Sequence, residues 1–211
     1  MIKFEDILQR FTPSLTWNIP VDDKRIFLTF DDGPVPEATA WVLDELNKFQ
    51  VKATFFCVGE NVRRNPDLYE RIIIEGHSVG NHTQHHMNGW KTEKTKYLND
   101  VKECSKFIKS GIFRPPYGRL KLNQIKELKK KYSIIMWDVL SMDYDHRLSP
   151  ENCIERVKRR TKPGSIVVFH DSAKAMPRLK KSLPVLLSYF INEGFTPDLI
   201  NMNYGRKARL E

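Results

Sequence analysis

Short apolar runs and amphipathic stretches alternate along most of the chain. Residues 26–30, 53–58, 78–81, 112–113, 133–137 and 166–169, with a weaker run near 195–200, carry the apolar content of strands. Between them, apolar residues recur at helical spacing: Val42, Leu46 and Phe49; Tyr97, Val101, Cys104 and Ile108; and later Leu179, Leu183, Leu186 and Phe190. Asn65-Pro66 and Ser149-Pro150 have the signature of an N-cap followed by proline at the first helical position. Gly194 reads as a helix stop. Strand–helix alternation repeated about seven times predicts a parallel α/β sheet with its helices outside. With no repeat and no Gly/Ser-rich linker, residues 25–211 read as one domain, and residues 1–24 as an N-terminal extension packed on it.

The placement of ionisable residues discriminates between an open sheet and a closed barrel. Asp31 and Asp32 follow the first run, and His82, His85 and His86 follow the third. Arg114 follows the fourth, Asp138 and Asp143 the fifth, and His170 and Asp171 the sixth. A doubly wound sheet feeds its site mainly from two or three strands at one switch point. A barrel gathers loops from all round its rim into one mouth. Five contributing strands therefore favour a barrel.

Composition narrows the picture further. The 211 residues are ample for one buried core, and 40% hydrophobic with 11% aromatic content excludes a disordered chain. No apolar run approaches the ~20 residues of a membrane span. Glu5 and Asp6 stand where a signal peptide would need an apolar core, so the expected location is cytoplasmic by default, with an exported envelope location left open. Cys57, Cys104 and Cys153 are too widely spaced for a disulfide framework or a cysteine-based zinc site. The charge of 35 − 26 = +9 raises the question of nucleic acid. Yet Lys129-Lys130-Lys131 and Lys158-Arg159-Arg160 close expected helices, where cations complement the dipole, and Arg206-Lys207-Arg209 lies near the end of the chain. No stacking platform accompanies them, so no nucleic-acid partner is expected.

Four segments carry chemistry, and each has a bland alternative. Asp31-Asp32-Gly33-Pro34 frees two adjacent carboxylates from any strand ladder, although Asp-Gly turns are common. His82 and His86 stand at i, i+4 and would share one face of a helical turn, a spacing that suits two imidazoles on one metal. A solvated histidine loop would look the same. An aspartate with two histidines leaves coordination positions open, the arrangement of a catalytic site. His170 ends the most apolar run and reads alone as a core histidine. Arg114-Pro115-Pro116-Tyr117-Gly118 is a stiff turn with one guanidinium and free backbone amides. Their joint placement on one rim favours chemistry over the bland alternatives.

Five segments resemble, in order, the five motifs of polysaccharide deacetylases, the NodB-homology group or carbohydrate esterase family 4. They are Thr29-Phe30-Asp31-Asp32-Gly33-Pro34, His82-Thr83-Gln84-His85-His86, Arg114-Pro115-Pro116-Tyr117-Gly118, Asp143-Tyr144 and Ile166-Val167-Val168-Phe169-His170. The resemblance runs from about residue 25 to 200. It implies a distorted (β/α) barrel of about seven strands, TIM-barrel-like, that removes N-acetyl groups from a chitin- or peptidoglycan-type carbohydrate. It also implies a divalent metal, most often Zn2+, with Co2+, Ni2+ and Mn2+ as alternatives. Position by position, it implies Asp32, His82 and His86 as metal ligands, Asp31 as general base and His170 as general acid. Arg114 would orient Asp31, Asp143 would pair with His170, and the Tyr117 amide would bind the oxyanion. Pro116, Tyr117 and Tyr144 would line the substrate. The chain departs from the family at two positions of the fourth motif, with Leu140 where aspartate is usual and Tyr144 where tryptophan is usual.

Three other readings compete. A sugar deformylase or ring-opening amidase would use the same scaffold. An Asp-His-His site can hold iron for an oxygenase, but the additional pair Asp31 and His170 favours hydrolysis. A catalytically silent carbohydrate-binding module would not need the full set of ligands, base and acid. The oligomeric state is not legible in the sequence.

Overall fold

The computed structural model describes residue 12 and residues 14–200. The first eleven residues of the extension, and the Arg206-Lys207-Arg209 cluster, lie outside the described residues. Strands β1 (Arg25–Asp31), β2 (Thr54–Cys57), β3 (Ser78–Asn81), β4 (Ile112–Phe113), β5 (Ser133–Ile134), β6 (Val139–Leu140) and β7 (Ile166–His170) form one sheet. Their order is β5-β4-β3-β2-β1-β7-β6, and every pairing is parallel. A short β8 (Thr196–Pro197) pairs with the start of β1. Helices α1 (Pro36–Lys48), α2 (Gly59–Arg64), α3 (Pro66–Ile74), α4 (Lys94–Cys104), α5 (Leu122–Leu128), α6 (Pro150–Arg160) and α7 (Met176–Asn192), with short 3-10 helices at Gly89–Lys91 and Pro116–Gly118, complete the described elements. No helix among the described residues is long and apolar enough to cross a membrane.

Alternation along β1 sorts its side chains into two compartments. Ile26, Leu28 and Phe30 join a core with Val42 and Leu46 of α1 and Leu183, Leu186 and Phe190 of α7. Phe27 joins a second cluster with Phe56, Ile112, Ile135 and Ile166, inside the curl of the sheet. Thr29 and Asp31 fall on that same inner face, so the alternation aims one carboxylate into the barrel.

The run 133–137, read as one strand, keeps only its first two residues as β5, and a further strand that the pattern did not predict, β6, follows just beyond its end. Ser133–Ile134 pairs with β4 at one edge of the sheet, and Val139–Leu140 pairs with β7 at the other. Only residues 135–138 connect them, so the two edges lie close together and the sheet is curled into an almost closed barrel. The segment after residue 13 spans the remaining gap. Thr16 pairs with Ile135, Asn18 pairs with Ser165, and Leu15, Trp17 and Ile19 are buried. Asp138 consequently belongs to the start of β6 and not to the rim. Its carboxylate accepts from Ile166 N at 2.8 Å and Ser165 Oγ at 3.0 Å, at the opposite end of β7 from His170.

Ser149 caps α6 as expected, accepting from Asn152 N at 3.2 Å. Asn65 does not cap α3 through its side chain. Its amide instead donates to Pro34 O at 3.2 Å and Asn61 O at 3.1 Å, tying the α2–α3 junction to the loop after β1. Gly194 ends α7 with φ +76°. The three cysteines are free and buried.

Phe30 is fully buried, with its ring stacked on Phe55 at 5.2 Å and Phe169 at 5.6 Å. F30A should therefore lose about 3–5 kcal/mol of stability. Denaturant unfolding checks this, and a loss below about 1 kcal/mol would mean that the three-ring stack does not anchor the sheet.

Candidate active site

The site begins with a cation inside the barrel. Arg114 is fully buried, just past β4. Its Nη1 donates to Asp31 Oδ1 and Thr29 Oγ1, both at 2.7 Å. Its Nη2 donates to Met136 O at 3.0 Å and its Nε to Ile135 O at 3.3 Å, while the guanidinium lies 4.1 Å from the centroid of the Phe56 ring. A buried charge must be paired and hydrogen-bonded, and these contacts fix the Arg114–Asp31 geometry. Asp31 Oδ2 has no protein hydrogen-bond partner among the described residues, and Asp31 lines the cavity.

In a regular strand Asp32 would face away from Asp31. It instead adopts φ +86°, leaving the strand direction, and it lines the same cavity as its neighbour. Asp32 Oδ1 stands 3.0 Å from His86 Nε2 and 3.8 Å from His82 Nε2. His82 and His86 do not share a helical face, which corrects the expectation drawn from their spacing. The segment is a loop with left-handed residues at Thr83 (φ +65°) and His86 (φ +52°). Buried polar side chains shape it. Asn81 Oδ1 accepts from Thr83 N at 2.9 Å, while Asp100 Oδ2 accepts from Gln84 N at 2.9 Å and His85 N at 3.1 Å. Asp100 Oδ1 lies 2.6 Å from His85 Nδ1, which gives His85 a place as a loop anchor. Asp100 escaped the sequence reading. Its signal was an acid on the buried face of α4, beside Tyr97, Val101 and Cys104.

The three groups suit a divalent cation. One ligand atom from each of Asp32, His82 and His86 lies within 4.8 Å of the others. His82 Nδ1 stands 2.8 Å from Arg114 O, and a carbonyl only accepts, so the proton is assigned to Nδ1 and the lone pair to Nε2. Burial pushes the His82 imidazole down to about 4, keeping it in the neutral form that binds metals. Asp32 is pulled below the usual carboxylate range: burial opposes the shift, but the hydrogen bond to His86 and the nearby imidazoles outweigh it. One carboxylate oxygen and two imidazole nitrogens form a donor set appropriate to zinc and its neighbours.

His170, at the end of β7, has the opposite charge state. Burial favours its neutral form, but the fully buried Asp143 carboxylate lies 2.7 Å from Nδ1 and raises the imidazole to about 9. Asp143 also accepts from His170 N at 2.8 Å, and its carbonyl accepts from Arg178 Nε. The Tyr144 ring stands edge-on to His170 at 4.9 Å between centroids.

A cavity of about 520 Å3 joins these groups, and Trp137, Leu140, Tyr144 and Val168 contribute its apolar wall. Tyr117 lines the mouth, 58% exposed, with its hydroxyl 3.1 Å from His86 Nδ1. Its backbone is left-handed (φ +61°), and its amide donates to no acceptor among the described residues. Pro116 is buried and does not line the cavity, unlike Tyr117 and Tyr144.

The raised His170 fixes a sign for pH dependence. The folded state binds the proton more tightly than the unfolded chain, whose imidazole titrates near ~6.5. The stabilisation by Asp143 is therefore complete below that value and is lost as pH rises through about 9. In metal-free D143N, the His170 signal in an NMR pH titration should fall well below about 9. An imidazole still titrating near 9 would assign the shift to other groups.

Comparison with known proteins places the chain in a family. The polysaccharide deacetylase family profile matches residues 18–134. A peptidoglycan-N-acetylglucosamine deacetylase of Bacillus cereus is 36% identical over 191 residues, covering 81% of this chain and 88% of the relative. A chitooligosaccharide deacetylase of Rhizobium leguminosarum bv. trifolii is 32% identical over 157 residues, covering 71% of this chain and 73% of the relative. The crystal structure of a peptidoglycan N-acetylglucosamine deacetylase in complex with 4-naphthalen-1-yl-N-oxidanyl-benzamide aligns with a TM-score of 0.82 at 29% identity, over 89% of this chain and 91% of that one. With barrel, motifs and relatives in agreement, the chain belongs to the polysaccharide deacetylase family.

Proposed function

We propose that the protein is a metal-dependent hydrolase that removes N-acetyl groups from an N-acetylhexosamine oligo- or polysaccharide of the chitin or peptidoglycan type. One observation carries this reading. The Asp32–His82–His86 donor set opens onto the same cavity as Asp31 and a His170 raised to about 9. A base, an acid and a cation site that share one cavity are what hydrolysis of an unactivated amide requires.

A divalent cation bound there would polarise the acyl oxygen and make a water more acidic. The chain's own residues supply the remaining steps. Asp31, held by Arg114 through one oxygen, accepts the proton from the attacking water. The free Tyr117 amide donates to the oxygen that gains negative charge, a contribution typically of 10²–10³ in rate. His170, protonated at neutral pH, gives its proton to the departing sugar amine, and Asp143 stabilises the imidazolium beforehand. Each acid or base contributes on the order of 10²–10⁴. Trp137, Leu140, Tyr144 and Val168 keep the acyl end in apolar surroundings.

Zinc-loaded protein should release acetate from N-acetylglucosamine oligomers, and chelation should abolish the release. D31A and H170A should retain zinc but lose about 10²–10⁴ in turnover. H86A should lose zinc itself. Full zinc occupancy in H86A, read by elemental analysis, would remove His86 from the ligand set.

A further inference from the structure

Asp171 follows His170 but serves another part of the molecule. It is fully buried, and its side chain reaches the loop that leaves β1. One carboxylate oxygen accepts from Gly33 N at 3.0 Å, and the other accepts from Thr39 Oγ1 of α1 at 2.5 Å. Thr39 Oγ1 in turn accepts from Val35 N at 2.7 Å. The Asp171 backbone amide donates to Asp31 O at 3.1 Å. One residue thus grips the carbonyl before Asp32 and the amide after it. Two further bonds complete the hold. Asn61 Nδ2 of α2 donates to Asp32 O at 2.7 Å, and Val58 N donates to Gly33 O at 2.9 Å.

These bonds surround a residue whose backbone needs holding. Asp32 sits at φ +86°, a region that non-glycine residues rarely occupy and that costs of the order of 1–3 kcal/mol. Released, it would relax towards extended backbone and swing its carboxylate away from His82 and His86. The packing leaves no slack for an alternative. A Cβ on Gly33 would lie 1.9 Å from Asp171 Oδ2, so only glycine lets the carboxylate come this close. A fully buried acid here costs stability that an apolar residue would not.

We propose that Asp171, braced by Thr39 and assisted by Asn61, is a positioning residue that holds Asp32 in its left-handed conformation and so sets the geometry of the Asp32–His82–His86 cation site. This rests on reading those three residues as metal ligands. Partners that orient ligands through hydrogen bonds typically account for about 10–100-fold in metal affinity.

The test is zinc affinity, measured by competition with a chromophoric chelator, with thermal unfolding of the zinc-free protein as the control for folding. Folded D171A should bind zinc about 10–100-fold more weakly. D171N keeps an acceptor for the Gly33 amide and should recover most of that loss. N61A, which releases only the Asp32 carbonyl, should also weaken zinc binding. Folded D171A with wild-type zinc affinity would overturn the proposal. So would a D171N as weak as D171A, since charge and not placement would then be responsible. If D171A fails to fold, N61A decides, and wild-type affinity in N61A overturns the proposal. D32A that binds zinc as tightly as the wild type would instead defeat the ligand assignment, and the positioning role with it.

Discussion

A guanidinium sealed inside a barrel must find a carboxylate and carbonyls, and this demand organises the site. Arg114 takes its carboxylate from Asp31 on β1 and its carbonyls from Ile135 and Met136, where the chain crosses between the two sheet edges. Its own carbonyl receives the His82 imidazole. One residue thus connects Asp31, His82 and the closure of the barrel. Breaking such a pair by removing one partner leaves an uncompensated buried charge, worth about 3–5 kcal/mol. Conversely, every group tied to Arg114 is fixed relative to the others before any substrate arrives.

Two histidines show how one side chain serves opposite purposes. Burial presses both towards the neutral form. His82 faces a backbone carbonyl and stays neutral, down at about 4, suited to donate a lone pair. His170 faces the buried Asp143 carboxylate and is held at about 9, suited to donate a proton. The partner across a single hydrogen bond sets the charge state.

Much of this was legible in the chain. The strand–helix alternation predicts the parallel sheet, and the spread of ionisable residues over five strand ends predicts a barrel. Features set by contacts distant in sequence were not legible. The 133–137 run has the composition of a longer strand, but only Ser133–Ile134 finds a neighbour in β4, and the unpredicted strand Val139–Leu140 beyond it is defined only by its pairing with β7. The spacing of His82 and His86 suggests a helical turn, but Asn81 and Asp100 impose a loop with left-handed residues that brings the two rings together. Asp138 looks like a rim carboxylate until the register of β6 on β7 puts it at the other end of the barrel. Asp171 looks like one more rim acid, and its grip on Gly33 crosses 138 residues of sequence.

The function proposed for this barrel rests on Asp32, His82 and His86 holding a divalent metal together at its mouth. Zinc-edge X-ray absorption on the zinc-loaded protein tests it most directly. One bound zinc is expected, whose spectrum shows scattering from two imidazole rings, with oxygen in the remaining positions and no sulfur. A zinc without imidazole scattering, or one coordinated by cysteine sulfur, would contradict it.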